Sequence, residues 1–210
     1  RALRTDKALF NEFINYLTIN VSEFFRNPAQ WEVLEKEILP DLIRNNGKLN
    51  IWSSACSTGE EPYSLAMLLT RFLKLSEINI LATDIDLGAI EKAKAGIYNE
   101  KSLQNVPIDL KNEYFKREGN YYIIHQSIKN CVKFNRIDLL QDKYPSNCHL
   151  ILCRNVLIYF TEEAKANIYK KFHDSLSSDG ILFVGSTEQI IMPERYNLKS
   201  AKTFFYKKII

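Results

Sequence analysis

Three groups of side chains in this chain combine residue types and spacing that suit them to chemistry. The first is Ala55-Cys56-Ser57-Thr58-Gly59, followed directly by Glu60 and Glu61. Nothing in the first five is bulkier than a thiol or a hydroxyl, so backbone N–H groups and a helix N-terminus can come up to a bound ligand. The second is Asp84, which follows Gly59 at about the ~20-residue offset at which an acid ending the next strand reaches a nucleotide ribose. The third is Arg154-Asn155 with Tyr159, placed just beyond the apolar run 149–153. The carboxyl end of a buried strand is where open α/β sheets bind ligands.

Each group also has a plainer reading. Thr58-x-x-Glu61 fits a capping box, with Pro62 in the first helical turn. That explains Thr58 and Glu61 but not the small residues before them. Asp84 and Asp86 both stand before a helical stretch, and we assign Asp84 to a ribose and Asp86 to the helix cap. Arg154 serves as a structural salt bridge or faces a cleft, because an unpaired buried guanidinium is costly. A small-residue loop with one acid at the next strand end implies an adenosine-containing ligand, and NAD, FAD and S-adenosylmethionine all satisfy it. The loop has a single glycine, unlike G-x-G-x-x-G, so it is poorly suited to a pyrophosphate. Glu60 and Glu61 repel phosphate but suit a cationic sulfonium and an amino group. S-adenosylmethionine is the best physical match.

The elements that must position these groups follow from periodicity. Residues 49–56 read as a buried parallel strand, and Leu65, Leu68, Leu69, Phe72 and Leu73 carry a helix after the loop. Upstream, Leu9, Phe10, Phe13, Ile14 and Leu17 predict a helix over 6–18, and Asn27-Pro28 a capped helix start feeding Trp31, Leu34, Ile38 and Leu42. Residues 78–84 form a second strand and 87–95 its helix. Residues 97–130 break the β–α rhythm, and Gly119-Asn120 between β-rich runs predicts a hairpin. A further strand ends at Asp138. A helix opens at Thr161 and faces inward through Ala164, Ile168, Phe172 and Leu176. Asp179-Gly180 then turns into the strand 181–186, and residues 195–209 hold two β-like runs. The fold expected is α/β, a doubly wound, mostly parallel sheet with an antiparallel edge strand and a small inserted antiparallel β-subdomain at about 97–130.

Composition narrows the class. The 210 residues are 46% hydrophobic and 25% charged, with a formal charge of +3, which is ordinary for a globular domain. Lys199, Lys202, Lys207 and Lys208 read as a solvated edge rather than a polyanion site, so no nucleic-acid partner is expected. Cys56, Cys131, Cys148 and Cys153 form no C-x-x-C pair and read as free thiols of a reducing compartment. No apolar run reaches the ~18 residues of a membrane span. The three histidines show no metal-ligand spacing, and no metal is expected.

Four stretches together resemble the CheR-type protein-glutamate O-methyltransferases that act on chemotaxis receptors: N-V-S-E-F-F-R (20–26), W-S-S-A-C-S-T-G-E-E-P-Y-S (52–64), A-T-D-I-D (82–86) and C-R-N-V-L-I-Y-F (153–160). Gly185-Ser186-Thr187-Glu188 is a weaker fifth. The resemblance implies S-adenosylmethionine as cofactor, S-adenosylhomocysteine as product, a cytoplasmic location, and the cytoplasmic helical region of the receptors as partner. It also implies a β-subdomain inserted after the second strand, which docks a receptor peptide in some members. Position by position it implies cofactor contacts at Asn20, Ser22, Arg26, Ala55, Gly59, Glu61 (methionine end), Asp84 (ribose), Asp138, Leu139, Arg154 and Asn155. Tyr159 would lie beside the transferred methyl, and Arg154 would orient the incoming carboxylate. Ser22 stands where the family usually has threonine, which keeps the hydroxyl. Residues 1–19 would be the last helix of a truncated N-terminal helical domain and 20–210 the methyltransferase domain, acting as a monomer. The competing expectations are a non-catalytic module binding the same cofactor, a methyltransferase with another substrate, and, more distantly, a dehydrogenase.

Overall fold

The structure, a computed structural model, describes residues 22–209. The helix expected over 6–18 and the contact expected at Asn20 lie outside these residues. A helical stretch α1, residues 28–45, comes first among them and is not uniform. Pro28–Val33 and Leu39–Asn45 are α-helical, and Leu34–Ile38 between them is a π turn. The Leu39 amide reaches back to the Leu34 carbonyl. Widening the turn just ahead of Pro40 accommodates a residue that has no N–H to give the α ladder.

The core of the molecule is a seven-stranded sheet in the order β6-β2-β1-β7-β8-β10-β9. Its strands are β1 (Ile51–Ser53), β2 (Ile80–Asp84), β6 (Val132–Arg136), β7 (Cys148–Cys153), β8 (Leu176–Val184), β9 (Leu198–Lys202) and β10 (Phe205–Lys208). Pairing is parallel from β6 through β8, and β10 is antiparallel to both β8 and β9. The order reverses at β1, which opens a crevice beyond the carboxyl ends of β1, β2 and β7. β1 and β7 are buried along their whole length, as parallel strands covered on both faces must be.

Helices α2 (Glu60–Leu69) and α3 (Leu87–Ala95) follow β1 and β2, and α6 (Glu162–Ser175) follows β7. Alternation along the strands builds two cores, one on each face. Ile51, Ile80, Leu150 and Phe183 point into one together with Phe24, Trp31, Tyr63 and Leu65. Trp52, Ile151, Leu182 and Tyr206 point into the other with Tyr144, Ile168 and Phe172. Trp52 is the hub of the second. It is fully buried, meets Tyr144 and Phe172 edge to face, and donates its indole N–H to the Thr83 hydroxyl at 2.9 Å.

A second, three-stranded antiparallel sheet comprises β3 (Ile97–Asn99), β5 (Tyr121–Ile124) and β4 (Phe115–Glu118), in that order. α4 (Ile108–Tyr114) precedes β4, and α5 (Gln126–Lys129) follows β5. The Gly119-Asn120 hairpin is present, with Glu118 opposite Tyr121 and Gly119 at φ 59°, the left-handed backbone a two-residue turn requires.

Several local expectations are corrected. Helix α2 is capped by Gly59, with no side-chain cap bond, so the Thr58–Glu61 box does not form. Thr58 instead donates its hydroxyl to Glu60 at 2.6 Å. Asn27 caps nothing with its side chain. Leu176 begins β8 rather than closing α6, and Asp179-Gly180 lies inside β8. A Cβ at residue 180 would stand 2.7 Å from the Cys148 carbonyl oxygen, so the strands' close approach demands glycine there. The caps expected at Asp86 and Thr161 are present, accepting from the Gly88 and Ala164 amides. All four cysteines are free and buried. In the basic tail, Lys202 pairs with Glu37, Lys207 with Asp179 at 3.2 Å, and Lys208 donates to the Leu176 carbonyl. Among the described residues no helix is long and apolar enough to cross a membrane.

Candidate functional site

The loop after β1 is laced to both neighbouring strands by its own backbone. Ser54 donates N–H and hydroxyl to the Leu152 carbonyl at 2.8 and 2.9 Å, and the Cys56 amide donates to the Thr83 carbonyl at 2.9 Å. Ser57 adopts φ 47°, which turns its amide onto an Asp84 carboxylate oxygen at 2.7 Å. The other oxygen of Asp84 accepts from the Asp86 amide. Asp84 therefore fixes the loop to the end of β2.

Gly59 closes the loop at φ 94°, and a Cβ there would stand 2.9 Å from the Ala93 Cβ and 3.1 Å from the Tyr98 hydroxyl. The small residues thus let α2 and α3 approach each other, and Tyr98 from β3 donates to the Thr58 carbonyl at 2.8 Å.

Glu61, on the first turn of α2, is held on both oxygens. The Ser53 hydroxyl donates to one at 2.8 Å, and Arg154 stands 3.5 Å from the other. Burial pushes the carboxyls of Glu60, Glu61 and Asp84 above their ordinary range. Asp84, Glu61 and Glu60 all act on Cys56, whose thiol is pushed well up by burial and by their charge. The three carboxylates are thus bonded to Ser57, Ser53 and Thr58, at the end of β1 and along the loop that follows it.

Arg154 is almost wholly enclosed, with 2% of its side chain exposed. Besides Glu61, it donates to the Arg26 carbonyl at 2.7 Å, to Gln30 at 2.8 Å and to Asn27 at 3.4 Å, and its guanidinium lies over Phe183 and Trp31. Burial lowers its pKa despite the pull of Glu61. A guanidinium so enclosed is not placed to meet an incoming carboxylate directly. It ties the segment 26–30 to α2.

That segment is otherwise pinned by Phe24 and Phe25. Phe24 donates its amide to the Ser102 carbonyl and is fully buried between Tyr98 and Phe115, edge to face with each. Phe25, at φ 51°, donates its amide to the Ser64 hydroxyl at 3.0 Å and packs on Trp31. Ser22 bonds Glu60. The stretch ahead of α1 is thus an anchor across the end of the sheet.

The remaining expected positions behave differently. Asp138 turns inward on its own loop, accepting from the Leu140 amide at 2.8 Å. Leu139 buries its side chain in the Trp52 core, and its carbonyl accepts from Tyr144 and Lys171. Ala55 is half-buried on the loop. Asn155 takes φ 60° and is half-buried, whereas Tyr159, on the 3₁₀ turn Leu157–Tyr159, is 61% exposed.

Sequence reasoning gave no role to Gln30, gave Ser53 and Ser64 only as members of the 52–64 match, and gave Glu188 only as part of a weak one. Glu188 is 5% exposed and follows β8 as Arg154 follows β7, so the same strand-end rule could have found it.

The residues fit an adenosine-linked cation. The carboxylate cluster suits a positive group, and buried polar atoms without partners among the described residues include the Ser57 hydroxyl, Arg154 Nε and Gln30 Nε2.

Comparison with known proteins agrees with this geometry. The model of the family described as CheR methyltransferase, SAM binding domain, matches residues 20–205. A chemotaxis protein methyltransferase of Listeria monocytogenes is 44% identical over 207 residues, covering 98% of this chain and 79% of that protein. Those of Borreliella burgdorferi and Escherichia coli are each 35% identical, covering 88% and 93% of this chain and 72% and 70% of theirs.

Proposed function

This chain belongs to the CheR methyltransferase family, and on that premise we propose that it methylates glutamate side-chain carboxylates in the cytoplasmic helical region of chemotaxis receptors. The observation that carries this reading is that Glu61, Asp84 and Glu60 are bonded to Ser53, Ser57 and Thr58, at the end of β1 and along the loop after it, which has a single glycine. Such a site favours a sulfonium and an amino group over a pyrophosphate.

When bound, S-adenosylmethionine supplies an electrophilic methyl group and is left as S-adenosylhomocysteine. Asp84 would hold the ribose hydroxyls, and Glu61 the amino group of the methionine end. Ser22 and Arg26 would close over the cofactor from the anchored segment, and Asn20 is a further proposed contact. Ala55 and Gly59 bring the loop backbone close, and Asp138, Leu139 and Asn155 complete the pocket. Tyr159 stands at the open side, beside the place where methyl and carboxylate meet. Arg154 is a positioning residue that keeps Glu61 and the 26–30 segment in register.

A glutamate carboxylate is already ionised near neutral pH, so no side chain of this chain has to remove a proton. What the protein supplies is alignment of carboxylate and methyl in a space closed to water, where opposite charges that cancel on reaction are not stabilised apart. The enzyme acts in the cytoplasm as a monomer, and an extended receptor segment docks on the small β3-β5-β4 sheet.

The test begins with calorimetric titration of S-adenosylhomocysteine, S-adenosylmethionine and NAD into the chain. The two sulfur ligands should bind in roughly the micromolar range, NAD should not bind, and Asp84→Ala should abolish the signal. Labelled methyl transfer to receptor-bearing membranes follows. Label released as methanol by mild base marks a carboxyl ester. Base-stable label would overturn the glutamate reading, and no transfer despite tight cofactor binding would favour a non-catalytic module.

A further inference from the structure

We propose that Glu188 is a positioning residue whose carboxylate sets the conformation of the 154–159 turn, and that Gly185 is required to admit it. Both oxygens of Glu188 are engaged by backbone. One accepts from the Asn155 amide at 2.6 Å and the Gly185 amide at 2.9 Å, and the other accepts from the Leu157 amide at 2.6 Å. Asn155 sits at φ 60°, a left-handed backbone that an L residue holds only when its surroundings over-determine it. The carboxylate supplies that constraint from the far side of the β7–β8 pair, and both residues it grips lie between Arg154 and Tyr159.

Charge-assisted bonds from three amides to one carboxylate are short and about twice as strong as neutral ones. A glutamine would turn a donor toward at least one of the three N–H groups. The grip also needs space. A Cβ at residue 185 would stand 2.4 Å from the Glu188 oxygen and 2.9 Å from the Asn155 nitrogen. Glycine at 185 is therefore a condition of the contact, and the pair explains why Gly185 and Glu188 occur three apart at the end of β8. Through this clamp the end of β8, which touches no proposed ligand group, governs where the Asn155 side chain points.

The inference rests on the proposed placement of Asn155 at the cofactor, so its test is a double-mutant cycle on cofactor binding rather than on methyl transfer. S-adenosylhomocysteine is titrated into the wild-type chain, Glu188→Gln, Asn155→Gly and the double variant, with thermal unfolding followed in parallel. Glycine at 155 removes the side chain while keeping the left-handed backbone at ease. The expected result is that Glu188→Gln weakens binding about tenfold or more, and that the double variant binds no more weakly than the worse single one, because both act through the same turn. Additive effects, or wild-type affinity in Glu188→Gln, would overturn the proposal. If Glu188→Gln does not fold, Gly185→Ala reads the same clamp from its other partner and should couple to Asn155→Gly in the same way. Failure of methyl transfer to receptors would count against the proposed substrate alone, since the cycle is read on binding.

Discussion

The most consequential residue is Arg154, because its burial changes what it can do. A guanidinium with Glu61, Gln30 and the Arg26 carbonyl as partners holds Glu61 and the 26–30 segment in place. Arg154→Ala leaves Glu61 buried and unpaired, so it should lower stability by about 3–5 kcal/mol. Denaturant unfolding measures this, and a decrease below ~1 kcal/mol would mean that solvent readily replaces the pair. The same carboxylates set a pH dependence. Burial raises Glu60, Glu61 and Asp84, so the folded chain without ligand keeps protons that the unfolded chain has released. Ionising them costs stability as pH rises from the unfolded pKa through the raised folded one. A cationic ligand favours the ionised forms, so binding releases protons. Affinity for S-adenosylmethionine should therefore fall on acidification, starting above the usual carboxylate range. Titration in buffers of different ionisation enthalpy counts the protons, and uptake on binding would contradict the assignment.

At the scale of elements, the strand–loop–helix from β1 to α2 works because its small residues serve two masters. The loop N–H groups bind β2, β7 and Asp84, while the missing side chain at Gly59 lets α3 and Tyr98 close against it. Gly59→Ala imposes a strained left-handed backbone, about 1–2 kcal/mol, and a Cβ forced against Ala93, typically a further ~1–3 kcal/mol. Because the loop must move to relieve that clash, cofactor affinity should fall alongside stability. Calorimetry and melting on the same variant check both, and lowered stability with unchanged affinity would show that the loop does not face the ligand. The π turn in α1 is a second element-scale feature, lying directly ahead of Pro40, which has no N–H for the α ladder.

Across the whole molecule, the small sheet and the main sheet are joined through Phe24. Its ring sits between Tyr98 of β3 and Phe115 of β4, and its amide bonds the Ser102 carbonyl. The neighbouring Phe25 and Arg26 reach α2 and Arg154. Phe24→Ala should cost about 3–5 kcal/mol. Amide exchange should accelerate in β3, β4 and β5 more than in β1 and β7, because the Phe24 ring, beside the Tyr98–Thr58 bond, helps fasten the small sheet to the large one. Uniform acceleration would mean that the two sheets unfold as one unit.

The sequence by itself determined the alternation of strands and helices, the hairpin at Gly119-Asn120, the Asp86 and Thr161 caps, and the strand-end positions of Asp84, Arg154 and Asn155. These depend on period, turn chemistry and the rule that ligands meet the carboxyl ends of parallel strands, all of which are local or topological. The tertiary structure alone decided that Arg154 is enclosed, that Phe24 and Phe25 anchor the segment before α1, that Thr58 caps no helix, and that Glu188 grips the 154–159 turn. Most of these join residues far apart in the chain. Their partners are fixed only when β7 and β8 pair and the anchored segment folds across the sheet's end, and no spacing along the chain records that meeting.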